Sequence, residues 1–164
     1  MNTRIVIGLS LALVGLSSCV NDAGPLRPAP GPAVSINLTL SASAAGGSSA
    51  DPLTLRYVIE NLGWASVDVP NRCPIPTLRI YDAQGTELLL KDPTIPVVCT
   101  AEASRPFRPM GRYDHPVIFD GHYYAPDGTP VEAAPGTYRA VATFVYVSHP
   151  NTRTLIRDVT FTWR

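Results

Sequence analysis

Charge of either sign is scarce in this chain, and the two signs balance. Only 16% of its 164 residues are charged, the formal net charge is zero, and Lys91 is the single lysine. A protein that binds nucleic acid carries an excess of basic side chains for the phosphates, so this composition argues against a nucleic-acid partner. The chain also lacks helical periodicity, and 17 prolines with 12 glycines would interrupt a bundle of long helices.

Long apolar runs are missing apart from one near the start. Ile5–Leu16 has 12 residues, whereas a helix that crosses a bilayer needs about 20, so a permanent membrane span is disfavoured. Arg4 precedes the run and the small residues Ser17 and Ser18 follow it, which is the layout of a secretory signal peptide. We expect residues 1–18 to be removed on export. The alternatives are an ordinary signal with a chance cysteine after it, or a core strand that imitates a signal.

The end of this segment carries a second pattern. Leu16-Ser17-Ser18-Cys19 resembles the lipobox of bacterial lipoproteins. The resemblance implies cleavage before Cys19, a thioether-linked diacylglycerol on its sulfur and a third acyl chain on its amino group. Several acyl chains anchor a protein stably, where one alone is marginal. The implied location is the cell envelope. With Val20 after the cysteine, it is the outer membrane in a bacterium with two membranes, facing the periplasm or the cell surface.

Residues 20–33 resemble a tether rather than a folded element. They contain four prolines, Pro25, Pro28, Pro30 and Pro32, with glycines between them. If they approach polyproline II at about 3.1 Å per residue, they span roughly 40 Å. The remaining residues, 34–164, are enough for one domain with its own core.

The sequence pattern predicts short strands in the body of the chain. Val34–Ala42 and Leu53–Asn61 alternate apolar and polar residues with a period of two, which predicts half-buried strands. Five further strands are expected, at residues 67–69, 78–80, 87–90, 138–148 and 155–163, with a bulge near Arg157. The segment from Asp92 to Gly136 is expected to be mostly loop, with one short strand at Val117–Phe119.

Seven to eight short strands without helices predict an all-β fold, an antiparallel immunoglobulin-like β-sandwich, with a jelly-roll arrangement as the alternative. Three stretches, Leu55–Val69, Cys73–Glu87 and Pro135–Tyr138, resemble the turns and strand starts of bacterial immunoglobulin-like modules. The second is similar to the BsuPI-type proteinase inhibitor domain, and Phe119-Asp120-Gly121 is similar to the Trp-Asp-Gly turn of such modules. The resemblance implies the fold, with protease inhibition as one associated activity.

Cysteine is rare as well. With Cys19 taken by the lipid, Cys73 and Cys99 remain as an even pair in an exported chain, which predicts a disulfide. A bridge over a loop of this size stabilises a protein by about 3 to 4 kcal/mol in the chain-entropy model. The alternative, a thiolate metal site, would need further ligands at fitted spacing, and none is near.

The sequence contains no catalytic motif, and one polar stretch contains potential metal ligands. Residues 114–128 contain two histidines and three aspartates, which could hold Zn²⁺ or Ca²⁺. Asp120-Gly121 and Asp127-Gly128 are turn dipeptides, however, and the spacing matches no metal-binding motif, so structural turns are expected and no metal or cofactor. No Gly-x-Ser-x-Gly elbow and no phosphate-binding loop occurs, so no catalytic residue is assigned.

One basic and aromatic segment is a candidate binding loop. It consists of Arg105, Phe107, Arg108, Arg112 and Tyr113. It could bind an anionic partner such as a lipid head group or an acidic glycan, or it could cover one end of the domain with its arginine stems packed on apolar surface. The expected function is a non-enzymatic binding or structural module at the envelope, with a protein or glycan partner. The alternatives are a protease inhibitor acting through Cys99–Tyr113 and an envelope hydrolase.

Overall fold

The computed structural model describes residues 32–70, 77–96 and 104–164, which belong to one compact unit, Gly31–Arg164. The strands in these ranges are β1 (Ile36–Ala42), β2 (Gly46–Gly47), β3 (Leu53–Asn61), β4 (Val67–Val69), β5 (Thr77–Tyr81), β6 (Glu87–Leu88), β7 (Arg105–Phe107), β8 (Arg112–Phe119), β9 (His122–Tyr124), β10 (Pro130–Glu132), β11 (Gly136–Ser148) and β12 (Asn151–Trp163). No helix occurs in these ranges, and none that could cross a membrane. The predicted signal peptide, Cys19, Cys73 and Cys99 lie outside the described residues.

The first sheet is antiparallel and has the order β1, β3, β8. Its central strand, β3, pairs with β1 from Ile36 opposite Asn61, and with β8 from Leu53 opposite Phe119. The predicted alternation of β3 is confirmed, because Leu53, Leu55, Tyr57 and Ile59 are all buried. Every second side chain of the central strand therefore faces the core.

The second sheet is built on the long hairpin of β11 and β12. Its register runs without a slip from Gly136 opposite Trp163 to Ser148 opposite Asn151, so the predicted bulge near Arg157 is wrong. Arg157 shares the inward side of its strand with Leu155 and Val159 but stays exposed. In the described part of the chain, the other edge of β12 forms no strand pair except at Thr162 and Trp163, where β2 pairs with it in parallel. An arginine at an open sheet edge can reach water without leaving the register.

The other side of β11 receives two short pairs of strands. β5 pairs with residues 139–143 and with β6, and β4 pairs at Val147 and with β7. The predicted hairpin between β5 and β6 is confirmed, with Gly85 at φ 83° and its amide donating to Asp82 O at 3.1 Å. β9 and β10 form a separate antiparallel pair.

The prediction of a mostly irregular segment between Asp92 and Gly136 is wrong. Within its described part, β7, β8, β9 and β10 are all paired strands, which raises the number of strands above the seven to eight expected. The first five residues of β8 are exposed on both sides, so no apolar alternation marks this edge strand. Backbone pairing to β3 holds it in place, and that pairing leaves no signature in the sequence.

Among the described residues the core forms two clusters, and each contains side chains from both sheets. One surrounds Phe119, whose ring centroid lies 5.6 Å from that of Phe161 and 5.0 Å from that of Trp163. The other joins Leu38, Tyr57 and Ile59 of the first sheet to strand β11 of the second. The buried faces of the two sheets therefore share their apolar contacts.

Candidate binding cleft

A cleft of about 520 Å³ opens beside the edge strand β8. This volume lies within the range of small-ligand sites, roughly 300 to 1,000 Å³. Leu78 and Leu90 supply apolar surface to it, and six of its lining residues carry rings or charge: Tyr57, Lys91, His115, Asp120, His122 and Tyr124. Lys91 is brought here because the amide of Tyr124 donates to Leu89 O at 2.8 Å, which sets the following residues beside β9.

A group of three rings lies at this cleft and beside it. Tyr57 of β3 stands opposite His115 of β8, and Tyr113 is on the same face two residues earlier. The ring centroids of Tyr57 and His115 are 5.3 Å apart, and the rings of Tyr113 and His115 are 6.0 Å apart with planes within 17°. Tyr57 is buried, His115 is exposed and Tyr113 is 40% exposed. One buried ring thus supports two that reach solvent.

The phenol of Tyr57 is held neutral. Burial raises its pKa well above the ordinary value, and the neighbouring phenol of Tyr113 raises that pKa further. A neutral phenol keeps its proton and can donate a hydrogen bond at any physiological pH.

The polar side of the cleft is organised by the turn before β9. Asp120 accepts a hydrogen bond from the amide of His122 at 3.0 Å and lies 3.3 Å from its Nδ1. The amide of His122 is the main cause of the lowered pKa of Asp120, and the imidazole contributes. Lys91 adds a cation. The lining therefore offers hydrogen-bond donors and acceptors together with a positive and a negative charge.

The charges on the opposite face of the first sheet are paired with one another. Arg56 Nε donates to Asp114 Oδ1 at 2.7 Å, Arg112 pairs with Glu60, and Arg112 Nη2 lies 3.4 Å from Asp114 Oδ2. The hydrogen bond from Arg56 is the main cause that lowers the pKa of Asp114. Along β8, Arg112 and Asp114 alternate with Tyr113 and His115, so they lie on the other face of the strand from the ring group.

The predicted basic loop is not one loop. Arg105 and Phe107 lie in β7, Arg112 and Tyr113 lie in β8, and Arg108 lies in the turn between the two strands. Phe107 packs into the core with its ring edge-on to Phe144, at 6.2 Å and 70°. Pairing with β4 and β3 converts both halves of the segment into strands. Of the five residues, only Tyr113 joins the ring group, and a binding role for the others stays a prediction.

The turn interpretation of Asp120-Gly121 and Asp127-Gly128 is confirmed, whereas Asp114 and His115 lie in strand β8 and His122 begins β9. Gly121 and Gly128 have φ of 87° and 85°, in the left-handed region that favours glycine. Asp127 accepts a hydrogen bond from the amide of Thr129 at 2.9 Å, as Asp120 does from His122. Across residues 32–70, 77–96 and 104–164, no group of three or more His, Cys, Asp or Glu side chains is placed to hold a metal ion.

The fold and this cleft define only a class, an all-β protein of mostly antiparallel sheets. No protein-family model matches the chain, and no curated protein sequence matches it either.

Three similar solved structures illustrate how distant the likenesses are. The β-glucosidase EmGH1 from Erythrobacter marinus is 16% identical with a TM-score of 0.45, over 80% of this chain and 16% of that one. A β-glucosidase from Listeria innocua is 10% identical with a TM-score of 0.41, over 79% and 16%. The structural genomics target SoR45 is 14% identical with a TM-score of 0.37, over 79% and 85%. These likenesses define neither a family nor a shared site.

Proposed function

We propose that the chain is a lipid-anchored, non-enzymatic binding module of the cell envelope, with an immunoglobulin-like β-sandwich fold and a ligand site in the cleft beside β8. The observation that carries the binding role is the ring group, in which buried Tyr57 supports the exposed rings of Tyr113 and His115. Exposed aromatic rings held by a buried neighbour are pre-organised for contact and lose little entropy when a ligand binds.

An envelope glycan is the ligand class that this surface fits best. A sugar ring has an apolar C–H face, which packs against aromatic rings, and a rim of hydroxyl groups. Tyr113 and His115 provide the rings, and Asp120, His122 and Lys91 provide hydrogen-bond partners for hydroxyl or acidic groups. No catalytic residue and no cofactor is assigned to the site.

The sandwich is supported by the two core clusters, which each combine side chains from both sheets. It is also supported by the resemblance of the Asp82–Gly85 turn and the start of β11 to immunoglobulin-like modules. Two antiparallel sheets that share a buried face are the arrangement of that architecture.

The anchor is supported by the lipobox-like sequence Leu16–Cys19. The partner would be the outer membrane in a bacterium with two membranes, reached through the lipid on Cys19. Cys19→Ala is expected to release the protein from the membrane fraction. Ser18→Ala, which keeps a small residue before the cysteine, is the matched control and is expected to stay there. A Cys19→Ala protein that fractionates with the membrane as before would contradict the anchor.

The binding site is tested on a glycan array of neutral and acidic oligosaccharides, followed by calorimetric titration of the strongest ligand. Tyr113→Ala is expected to weaken binding about tenfold, because the ligand loses one ring face. Ile156→Ala removes a comparably exposed side chain from strand β12 and serves as the control, with unchanged affinity. A silent array, or equal affinities for both variants, would overturn the glycan site.

A further inference from the structure

One end of the domain presents three large apolar side chains to solvent. Leu62 is 57% exposed, Trp64 is 62% exposed and Met110 is 81% exposed. They lie on two turns, residues 61–66 and 108–111, which we call the apolar tip. Exposed apolar side chains that cluster rather than scatter indicate a surface that is covered in use.

Asn61 holds the two turns together. It is fully buried, and its Nδ2 donates to Ala65 O at 2.9 Å and to Phe107 O at 3.0 Å. Its backbone O accepts from the amide of Met110 at 2.8 Å, and its backbone amide donates to Gly111 O at 2.9 Å. The apolar tip is therefore one fixed unit and not two independent loops.

Met110 occupies a backbone conformation that disfavours it. Its φ is 58°, in the left-handed region, at the third position of a turn closed by Gly111 N donating to Arg108 O at 3.0 Å. Glycine or asparagine is the usual residue there, because most other residues are disfavoured in the left-handed region. A strained backbone that displays an apolar side chain to water is a pattern associated with functional sites.

The chain enters the fold at this same end. The amide of Leu62 donates to Ser35 O at 2.7 Å, and the amide of Ala65 donates to Ala33 O at 2.8 Å. A Cβ at Gly63 would lie 2.7 Å from Ser35 N, so the chain passes directly against the turn. Ala33, the last residue of the predicted tether, therefore lies beside the apolar tip.

We propose that the apolar tip inserts into the interfacial layer of the membrane that holds the lipid on Cys19. The proposal rests on the lipid anchor proposed above. Tryptophan prefers the interface between head groups and acyl chains, and leucine and methionine can bury their side chains just below it. Arg108, exposed in the same turn, can reach lipid phosphates. The domain then stands on the bilayer by this end.

The two tryptophans make a direct test available. Trp64 is in the apolar tip, whereas Trp163 is buried in the core, 5% exposed. The full lipidated chain is reconstituted into phosphatidylethanolamine and phosphatidylglycerol vesicles, with and without bromine on the acyl chains. Quenching of the wild-type emission by the brominated lipid is expected. Trp64→Phe leaves only the buried ring of Trp163 and is expected to show no quenching.

Met110→Gly separates membrane contact from folding. Glycine relieves the strained φ, so the variant is expected to be at least as stable as the wild type, and yet Trp64 should be quenched less. Flotation of the vesicles identifies which proposal fails. If the protein floats with the vesicles but its emission is not quenched, the proposed insertion of the apolar tip is wrong and the lipid anchor is unaffected. The same conclusion follows if Met110→Gly is quenched as strongly as wild type. Protein that does not float overturns both.

Discussion

Gly121 links the turn that shapes the cleft to the aromatic core, and its replacement by alanine should be unusually damaging. Its φ is 87°, and a Cβ at this position would lie 2.7 Å from Cε2 of Trp163. The indole is buried with Phe119 and cannot withdraw into solvent. A left-handed alanine costs about 1 to 2 kcal/mol. Displacing a packed ring adds about 1 to 3 kcal/mol.

The expected loss of unfolding free energy for Gly121→Ala is therefore about 2 to 5 kcal/mol. Gly85→Ala is the matched control, because Gly85 has a similar φ of 83° and nothing within 4 Å of its Cβ position. It should lose only the backbone cost, about 1 to 2 kcal/mol. Urea unfolding followed by circular dichroism measures both, with m values equal to wild type if the comparison is valid. Equal losses at the two positions would refute the packing argument.

Three other predictions concern stability and the alternative activity. The ion pair with Arg56 lowers the pKa of Asp114. Its contribution to the free energy of unfolding is therefore present above the unfolded pKa of about 3.9 and is lost as pH falls through the folded pKa. Urea midpoints of Asp114→Asn should fall less than those of wild type between pH 5 and pH 3; parallel curves would contradict this. Oxidised protein should show no free thiol at Cys73 and Cys99, and reduction should cost about 3 to 4 kcal/mol of unfolding free energy; titratable thiols in the oxidised protein would contradict the disulfide. A panel of proteases mixed with the protein should keep full activity, because residues 105–107 and 112–113 of the described part of Cys99–Tyr113 lie in paired strands; a stable uncut complex would favour the inhibitor.

Strand β3 was predictable because both of its neighbours and the second sheet bury one of its faces. That burial produces an unbroken alternation from Leu53 to Ile59 in the sequence. The Asp-Gly turns were predictable for a local reason as well, since aspartate accepts a nearby amide and glycine supplies the positive φ.

Strand β8 and the cleft were not predictable in the same way. β8 is an edge strand with most of its side chains exposed, so its sequence lacks the alternation that burial imposes. Tyr57 and His115 meet only because of the β3 to β8 register, over 58 residues of sequence. The polar stretch from Asp114 to Asp127 did mark one side of the cleft, but neither Tyr57 nor Lys91 carries a local signal.

The lipid anchor is the central claim, because the envelope location and the orientation of the apolar tip both depend on it. The intact mass of the protein extracted from membranes tests it most directly. We predict a chain of residues 19–164 that carries a diacylglycerol and one further acyl chain on Cys19. An unmodified Cys19, or a mass that still includes residues 1–18, would contradict it.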